Sequence, residues 1–242
     1  MHSTNYVITF VFIITTVVAV GLTGLREATK PLADANEAIF NKKGVLNAIK
    51  VPLGDDPMKW DGAEVESTYT SKVKPYVFSY DGTAKEGFIA IDLERDRDKI
   101  NKIPLESRPL PLWVYEDNGK KYYIISVYGK GLWDKIWGTV AFESDLKTLA
   151  GTSFDHKGET PGLGAEIKDN PSFSAQYVGK KAYNDKGEYV SVIARKGGAK
   201  DKRYEVDAIS GATITSNGVS KMMVEGIQNY EHIFESVKKL GL

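Results

Sequence analysis

An uncharged apolar run near the amino terminus constrains this chain more than any other feature. The 20 residues from Tyr6 to Leu25 contain no charged side chain, and isoleucine and valine dominate them. At about 1.5 Å of rise per residue, a helix of this length spans the roughly 30 Å hydrocarbon core of a bilayer. The sequence therefore predicts a single N-terminal transmembrane anchor, residues 1–30, in a lipid bilayer.

A cleaved signal peptide is the alternative interpretation of this run. Signal peptides have a positively charged start and a shorter apolar region of roughly 7–15 residues. Residues 1–5 contain no lysine or arginine, and Ala19-Val20-Gly21 is only a weak cleavage site. Length and the missing basic residues favour the uncleaved anchor. Arg26 and Lys30 follow the run, and by the positive-inside rule they point weakly to a cytoplasmic large domain.

Composition excludes several classes of function. Lys+Arg and Asp+Glu both number 32, so the chain lacks the basic footprint of a nucleic-acid-binding protein. It contains no cysteine, which excludes disulfides, iron–sulfur clusters, a thiol nucleophile and a cysteine-based zinc site. Its three histidines, His2, His156 and His232, lie far apart in sequence, so no metal site is expected. A redox function would therefore use an organic cofactor.

The rest of the chain predicts a connecting helix followed by one α+β domain. The connecting helix is expected over 31–50, with Pro31 in the first turn of a new segment and an interruption at Gly44. The domain, residues 51–242, is expected to consist of antiparallel β-hairpins with flanking helices. The first predicted strands are 76–80 and 87–92, joined by an Asp81-Gly82 turn, and Pro104, Pro109 and Pro111 mark a loop after them.

Three further hairpins and a final helix complete the predicted domain. The hairpins pair 113–115 with 122–128 around Asn118-Gly119, 139–142 with 149–154 around Asp145, and 176–183 with 189–194 around residues 185–187. Apolar residues then recur with a 3.6-residue period after Thr215-Ser216-Asn217. This pattern predicts a C-terminal helix with a serine or asparagine cap at its start.

The segment from Asp207 to Gly218 combines hydroxyl groups with a glycine turn before that helix. Gly211 allows another group to approach the backbone closely. Free N–H groups at the start of the helix would favour a phosphate. A plain helix cap with a glycine turn is the alternative interpretation, because such clusters are common before helices. The hydroxyls belong to Ser210, Thr213, Thr215 and Ser216.

This segment contains the pattern Asp-x-x-Ser-Gly-Ala-Thr, formed by Asp207, Ser210, Gly211, Ala212 and Thr213. The pattern resembles the flavinylation motif of the FMN-binding-domain family. That family includes the C subunit of sodium-translocating NADH:quinone oxidoreductases and the G subunit of the related Rnf complexes. The resemblance implies FMN bound covalently, with Thr213 Oγ esterified to the flavin phosphate by a separate flavin transferase. It also implies that Asp207 serves transferase recognition or loop structure.

Two other segments resemble the same family. Glu159-Thr160-Pro161-Gly162-Leu163-Gly164 is similar to a loop that packs beside the flavin. The resemblance implies that Glu159 and Thr160 hydrogen-bond the isoalloxazine edge or the ribityl chain and that Leu163 covers a ring face.

Gly131-Leu132-Trp133 resembles the C subunit rather than the G subunit, as does Lys196-Gly197-Gly198-Ala199. Trp133 is expected to stack near the flavin, with a core tryptophan as the alternative. Leu132, Gly164 and Thr215 are the remaining expected contacts.

The resemblance implies an electron-transfer subunit that is not active alone. Its partners would be the other subunits of a membrane complex that passes electrons from NADH to quinone and exports sodium. The domain would lie on the periplasmic side of a bacterial inner membrane, against the weak indication of Arg26 and Lys30. No side chain is expected to act as acid, base or nucleophile in electron transfer. The alternatives are the Rnf-type G subunit, acting between ferredoxin and NAD, and a membrane-anchored flavin-binding or sensory module without electron transfer.

Overall fold

The residues of the N-terminal helix belong to two compact units of the chain. The computed structural model describes residues 3–242, which divide into residues 3–39 and Phe40–Leu242. Helix α1, Thr4–Asn47, contains the apolar run and is long and apolar enough to cross a membrane. Pro31 and Gly44 both lie inside it, so the predicted new segment at Pro31 and the break at Gly44 are wrong. Proline removes one helical hydrogen bond and glycine costs about 1 kcal/mol, and a long helix tolerates both.

A five-stranded antiparallel sheet forms the centre of the larger unit, with strands in the order β1-β2-β3-β4-β5. Its strands are β1 Val73–Phe78, β2 Leu110–Asp117, β3 Lys120–Lys130, β4 Lys135–Phe142 and β5 Leu149–His156. A separate parallel pair consists of β6 Ile193–Arg195 and β7 Glu205–Asp207. The predicted α+β class is confirmed.

Helices pack against the sheet and form part of the segments that connect its strands. They are α2 Lys50–Leu53, α3 Gly62–Lys72, α4 Ala90–Arg95, α5 Arg97–Ile100, α6 Glu166–Asp169, α7 Pro171–Ala175, α8 Thr213–Gln228 and α9 Glu231–Leu240. Two short 3-10 helices lie at Pro57–Lys59 and Leu105–Ser107. The predicted single C-terminal helix is thus two helices, and the first begins before the predicted cap.

Local turn chemistry explains the two hairpins that the sequence predicts well. Asn118 and Gly119 have φ of 50° and 75°, the two positive values that the tight turn between β2 and β3 requires. Between β4 and β5, the Asp145 carboxylate accepts hydrogen bonds of 2.8 Å from the amides of Lys147 and Thr148. Both turns are fixed by residues next to the turn itself, which is why sequence alone finds them.

Three other predictions are wrong where distant packing overrides local pattern. Residues 87–89 are a loop and residues 90–92 begin α4, whose Ala90, Leu93 and Glu94 are buried at helical spacing. The predicted hairpin over 176–194 is reduced to a single bridge between Tyr183 and Tyr189, since residues 193–195 pair in parallel with β7. Pro111 lies inside β2 rather than in a loop.

The sheet separates two apolar layers. On one face, α8 and α9 pack over β3 and its neighbours, and this layer is the main core. On the other face lies the end of α1 with the residues that follow it, of which Val45, Leu46, Ala48 and Ile49 are at most 1% exposed. The Thr139 hydroxyl donates to the Gly44 carbonyl over 2.7 Å, which ties β4 to α1. The globular unit therefore uses residues from Phe40 onward.

Candidate functional site

Thr213 is the first residue of α8 and is half-buried. The first intrahelical hydrogen bond runs from the Ser216 amide to the Ala212 carbonyl, so the amides of residues 213–215 precede the bonded part of the helix. Within the described residues, no side chain caps this helix. The alternative interpretation of the hydroxyl cluster as a helix cap is therefore wrong, and the uncapped amides form an end that favours negative charge.

The turn before α8 lies against the loop that follows β5. Ser210 and Gly211 are exposed, and Gly211 has φ of 82°. A Cβ atom at Gly211 would lie 3.1 Å from the Gly162 carbonyl oxygen, so glycine permits the close approach of the two segments. The structure thus brings together the two motifs that are separated by about 50 residues in sequence.

Asp207 organises a neighbouring loop. Its Oδ1 accepts a hydrogen bond of 2.7 Å from the Ala199 amide, and its own amide donates to Gln176 Oε1 over 2.7 Å. The loop that it holds contains Gly197 and Gly198, both with positive φ. Of the two roles expected for Asp207, the contacts support loop structure. The predicted site residues do not include Gln176, since nothing in its sequence context marks it.

Glu159 has a buried carboxylate that is already engaged by the protein. It accepts hydrogen bonds from the Thr215 hydroxyl at 2.6 Å, the Leu132 amide at 3.1 Å and the Trp133 amide at 3.0 Å. Burial raises the pKa of Glu159, but these bonds more than offset burial and hold the pKa below its ordinary value. Glu159 and Thr215, both expected to contact a flavin, are hydrogen-bonded to each other.

Glu166 holds the other end of the same loop. Its carboxylate accepts hydrogen bonds from the amides of Gly162 at 2.5 Å and Gly164 at 3.1 Å, and these bonds lower its pKa. Sequence reasoning missed Glu166. The available signal was an acidic residue just after a glycine-rich loop, where free backbone amides need an acceptor.

Three large apolar side chains around this site face solvent. Trp133 is 62% exposed, Ile214 is 58% exposed and Leu163 is 42% exposed. The alternative of a core tryptophan at position 133 is therefore wrong. Thr160 is also exposed. These side chains come from three separate segments and are available to an apolar ligand or partner.

A cleft of about 680 Å³ runs along α8 from the β3–β4 connection. Its lining includes Lys130, Trp133, Gly218 and Lys221. Its volume falls in the range of small-molecule sites, roughly 300–1,000 Å³. A second cavity of about 250 Å³, lined by Phe40, Arg97 and Trp137 among others, contains none of the motif residues.

Metal ligation has no support in the part of the chain that the structure describes. Among residues 3–242, no three histidine, cysteine, aspartate or glutamate side chains group as metal ligands. His2 lies outside the described residues.

Comparisons with known proteins identify the family. Residues 131–228 match the family model of the FMN-binding domain. The chain is 33% identical to the C subunit of the Na(+)-translocating NADH-quinone reductase of Vibrio parahaemolyticus, over 86% of this chain and 81% of that protein. It is 30% identical to the corresponding C subunit of Pseudomonas aeruginosa, over 92% and 90%.

Solved structures agree with these relatives. The crystal structure of the C subunit from Parabacteroides distasonis superimposes with a TM-score of 0.71 and 32% identity, covering 84% of this chain and 96% of that one. NqrC from Shewanella oneidensis gives the same TM-score with 28% identity, covering 85% and 99%. These matches favour the C-subunit expectation over the Rnf alternative, and the chain belongs to the NqrC family, the C subunits of Na(+)-translocating NADH-quinone reductases.

Proposed function

We propose that this chain carries FMN through a phosphoester on Thr213 and relays electrons within a membrane-bound NADH:quinone oxidoreductase complex. The observation that carries the proposal is the half-buried Thr213 at the amide end of α8, which no side chain among residues 3–242 caps. That residue lies inside the segment that matches the FMN-binding domain. The residues present fit the group, because a phosphate on Thr213 Oγ would meet free backbone amides and the positive end of a 16-residue helix.

Attachment requires a flavin transferase and a phosphoanhydride of FMN as donor. The Thr213 Oγ–P bond forms, the bond from phosphorus to the leaving phosphate oxygen breaks, and the hydroxyl proton passes to a base of the transferase. Ser210 and Gly211 are exposed and small, so they leave the acceptor open to a second protein. No catalytic side chain is required of this chain in that step.

When bound, FMN supplies the one- and two-electron redox chemistry, and the protein positions and tunes it. The exposed Trp133, Leu163 and Ile214 offer apolar surfaces that would cover an aromatic ring and exclude water from it. Thr160 remains a candidate for a direct polar contact. Gly164 is buried and belongs to the support of the site, as do Leu132 and Ala212 through their backbones.

Replacing Thr213 tests the tether. Thr213→Val keeps the shape of the side chain but lacks the hydroxyl, so we expect no covalent flavin when the variant is expressed with the transferase. Thr213→Ser retains a hydroxyl and is the matched control, for which we expect covalent flavin to persist. Intact-mass spectrometry and flavin fluorescence on a denaturing gel measure both. Covalent flavin on Thr213→Val would refute the assignment.

We also propose that the chain is a single-pass inner-membrane protein whose domain lies on the periplasmic side among the other subunits. Residues 1–30 would form the anchor. A sodium path is not expected in this uncharged span, because ion pathways use polar groups within the membrane. Protease added to spheroplasts should degrade the domain while the membrane remains intact. Protection until lysis would instead support the cytoplasmic orientation favoured by Arg26 and Lys30.

A further inference from the structure

We propose that Glu159 is a positioning residue, which fixes the surfaces around the flavin through its carboxylate without touching the flavin. This inference rests on the proposed function. It differs from the expectation that Glu159 hydrogen-bonds the cofactor, because the residue is only 5% exposed and its carboxylate is bonded to the protein.

The contacts of Glu159 join segments that are far apart in sequence. Oε1 accepts from the Trp133 amide at 3.0 Å, and Oε2 accepts from the Leu132 amide at 3.1 Å and the Thr215 hydroxyl at 2.6 Å. The β3–β4 connection and the first turn of α8 are thus both bonded to one side chain. A single buried carboxylate sets their relative positions.

Two glycines make room for this carboxylate. A Cβ atom at Gly131 would lie 2.5 Å from Glu159 Oε1, and a Cβ atom at Gly164 would lie 2.7 Å from Oε2. Real Cβ atoms do not approach oxygen so closely. The carboxylate therefore fits only because Gly131 and Gly164 lack side chains. Two such glycines on separate segments indicate that this position is shaped to hold the carboxylate.

The positioned segments carry the exposed apolar residues and the tether. The Trp133 amide is itself a donor to Glu159, and the Thr215 hydroxyl that donates to Glu159 shares its one proton with the Leu163 carbonyl at 3.1 Å. Thr215 lies two residues after Thr213 on α8. Glu159 thereby sets the positions of Trp133 and Leu163, two of the three candidate ring-covering side chains, relative to the proposed attachment point.

A carboxylate suits this role better than an amide. Glu159 faces only donors, and an ionised carboxylate is acceptor-only on both oxygens. Glutamine would turn an NH₂ group toward at least one of these donors and leave it unpaired. The hydrogen bonds keep the pKa of Glu159 below its ordinary value in spite of burial, so the accepting form persists at neutral pH.

The test uses the full chain expressed with the transferase and compares wild type with Glu159→Gln and Glu159→Asp. We expect Glu159→Gln to change the fluorescence yield and the midpoint potential of the bound flavin, and Glu159→Asp to restore them in part. Glu143→Gln, an exposed carboxylate in the β4–β5 turn, is the matched control and should leave both unchanged. Wild-type fluorescence and potential in Glu159→Gln would overturn the proposal.

A second measurement makes the test independent of the flavin. In the flavin-free Thr213→Val background, the amides of Leu132 and Trp133 should exchange with solvent about tenfold faster after Glu159→Gln, because they lose a charged acceptor. Unchanged exchange would overturn the positioning role. Absence of covalent flavin from the wild type would instead refute the proposed function alone.

If Glu159→Gln does not fold, Thr215→Val provides the decisive variant. It removes one donor to the carboxylate and leaves the amide bonds in place. We then expect altered flavin fluorescence with Thr215→Val and near wild-type fluorescence with Thr215→Ser, which keeps the hydroxyl. Identical fluorescence in both variants and wild type would overturn the proposal.

Discussion

Asp207, the first residue of the proposed attachment motif, is hydrogen-bonded to a loop that lies upstream of the proposed acceptor, Thr213, in sequence. The Oδ1 atom of Asp207 accepts a hydrogen bond from the Ala199 amide. The loop therefore requires an oxygen acceptor at position 207 rather than a charge. We predict that Asp207→Asn retains most of the covalent flavin, because asparagine keeps that oxygen. Asp207→Ala should lose at least half of the flavin in the same cells, as measured by intact mass.

The pair of variants at Asp207 separates loop structure from direct recognition by the transferase. Thermal unfolding of each variant gives the control for folding. If Asp207→Asn lost flavin as completely as Asp207→Ala while both remained folded, the negative charge itself would be what the transferase recognises, and the loop role would be refuted.

Two glycines of one loop should respond differently to alanine. Gly164 has φ of 152°, and a Cβ atom there would clash with the Thr215 hydroxyl and with Glu159. We predict that Gly164→Ala destabilises the domain by about 2–4 kcal/mol through overpacking and backbone strain. Gly162 has φ of 80° with open space around it, so Gly162→Ala should cost only about 1 kcal/mol.

Denaturant titration of the two glycine variants measures both free energies of unfolding. Covalent flavin should fall further in Gly164→Ala than in Gly162→Ala, because a Cβ atom at Gly164 would displace the Glu159 carboxylate and a Cβ atom at Gly162 would contact nothing. Equal losses of stability in the two variants would contradict the packing argument.

At the scale of elements, the parallel pair β6–β7 is held by an ion pair that titrates in acid. The Glu205 carboxylate accepts hydrogen bonds from the Arg195 side chain, which has the larger effect, and from the Lys200 amide. Together they lower the pKa of Glu205 from 4.5 to about 2. A carboxylate with a lowered folded pKa contributes stability above its unfolded pKa, and that contribution is lost as pH falls through the folded value. The loss should therefore occur between pH 4.5 and about 2.

Glu205→Gln tests this pH dependence. We predict that the variant is less stable than wild type at neutral pH, and that the difference in free energy of unfolding shrinks as pH falls below 4.5. Denaturant unfolding at a series of pH values measures the difference. Glu143→Gln is the control, and a constant difference across the series would contradict the assignment to this ion pair.

The same elements show which parts of the fold can be predicted from sequence. The β2–β3 and β4–β5 hairpins are predictable because Asn118, Gly119 and Asp145 fix their turns locally. The apolar run in residues 87–92 is too short to show the period of a helix, so the sequence pattern predicts a strand. Helix α4 forms there because its buried face packs against the sheet. Residues 193–195 pair in parallel with β7, a long-range choice that no local pattern encodes.

The start of α8 illustrates a similar limit within the site. The sequence pattern predicts its cap at residues 215–217, but the helix begins at Thr213 without a side-chain cap among the described residues. Ser216 is fully buried and accepts a hydrogen bond from the Ile209 amide, so it serves packing instead. Resemblance identifies the motif residues, whereas the hydrogen bonds of the Glu159 carboxylate with Leu132, Trp133 and Thr215 become visible only in three dimensions.

For the whole molecule, the question is where the independently stable domain begins. The sequence pattern predicts a start at residue 51, whereas the compact unit begins at Phe40. Val45, Leu46 and Ile49 are fully buried in the layer beneath the sheet. Burying three such side chains contributes roughly 5–9 kcal/mol. That is comparable with the whole stability of an ordinary domain, about 5–15 kcal/mol.

Two truncations follow from this comparison. A chain of residues 40–242 keeps the buried residues and loses the apolar run, so we predict a water-soluble domain with one cooperative thermal transition. A chain of residues 51–242 lacks the buried end of α1 and should be largely unfolded at room temperature. Circular dichroism and intact mass after expression with the transferase measure folding and flavin loading. A cooperative transition of equal midpoint in both chains would show that the end of α1 is dispensable, and would move the domain boundary back to residue 51.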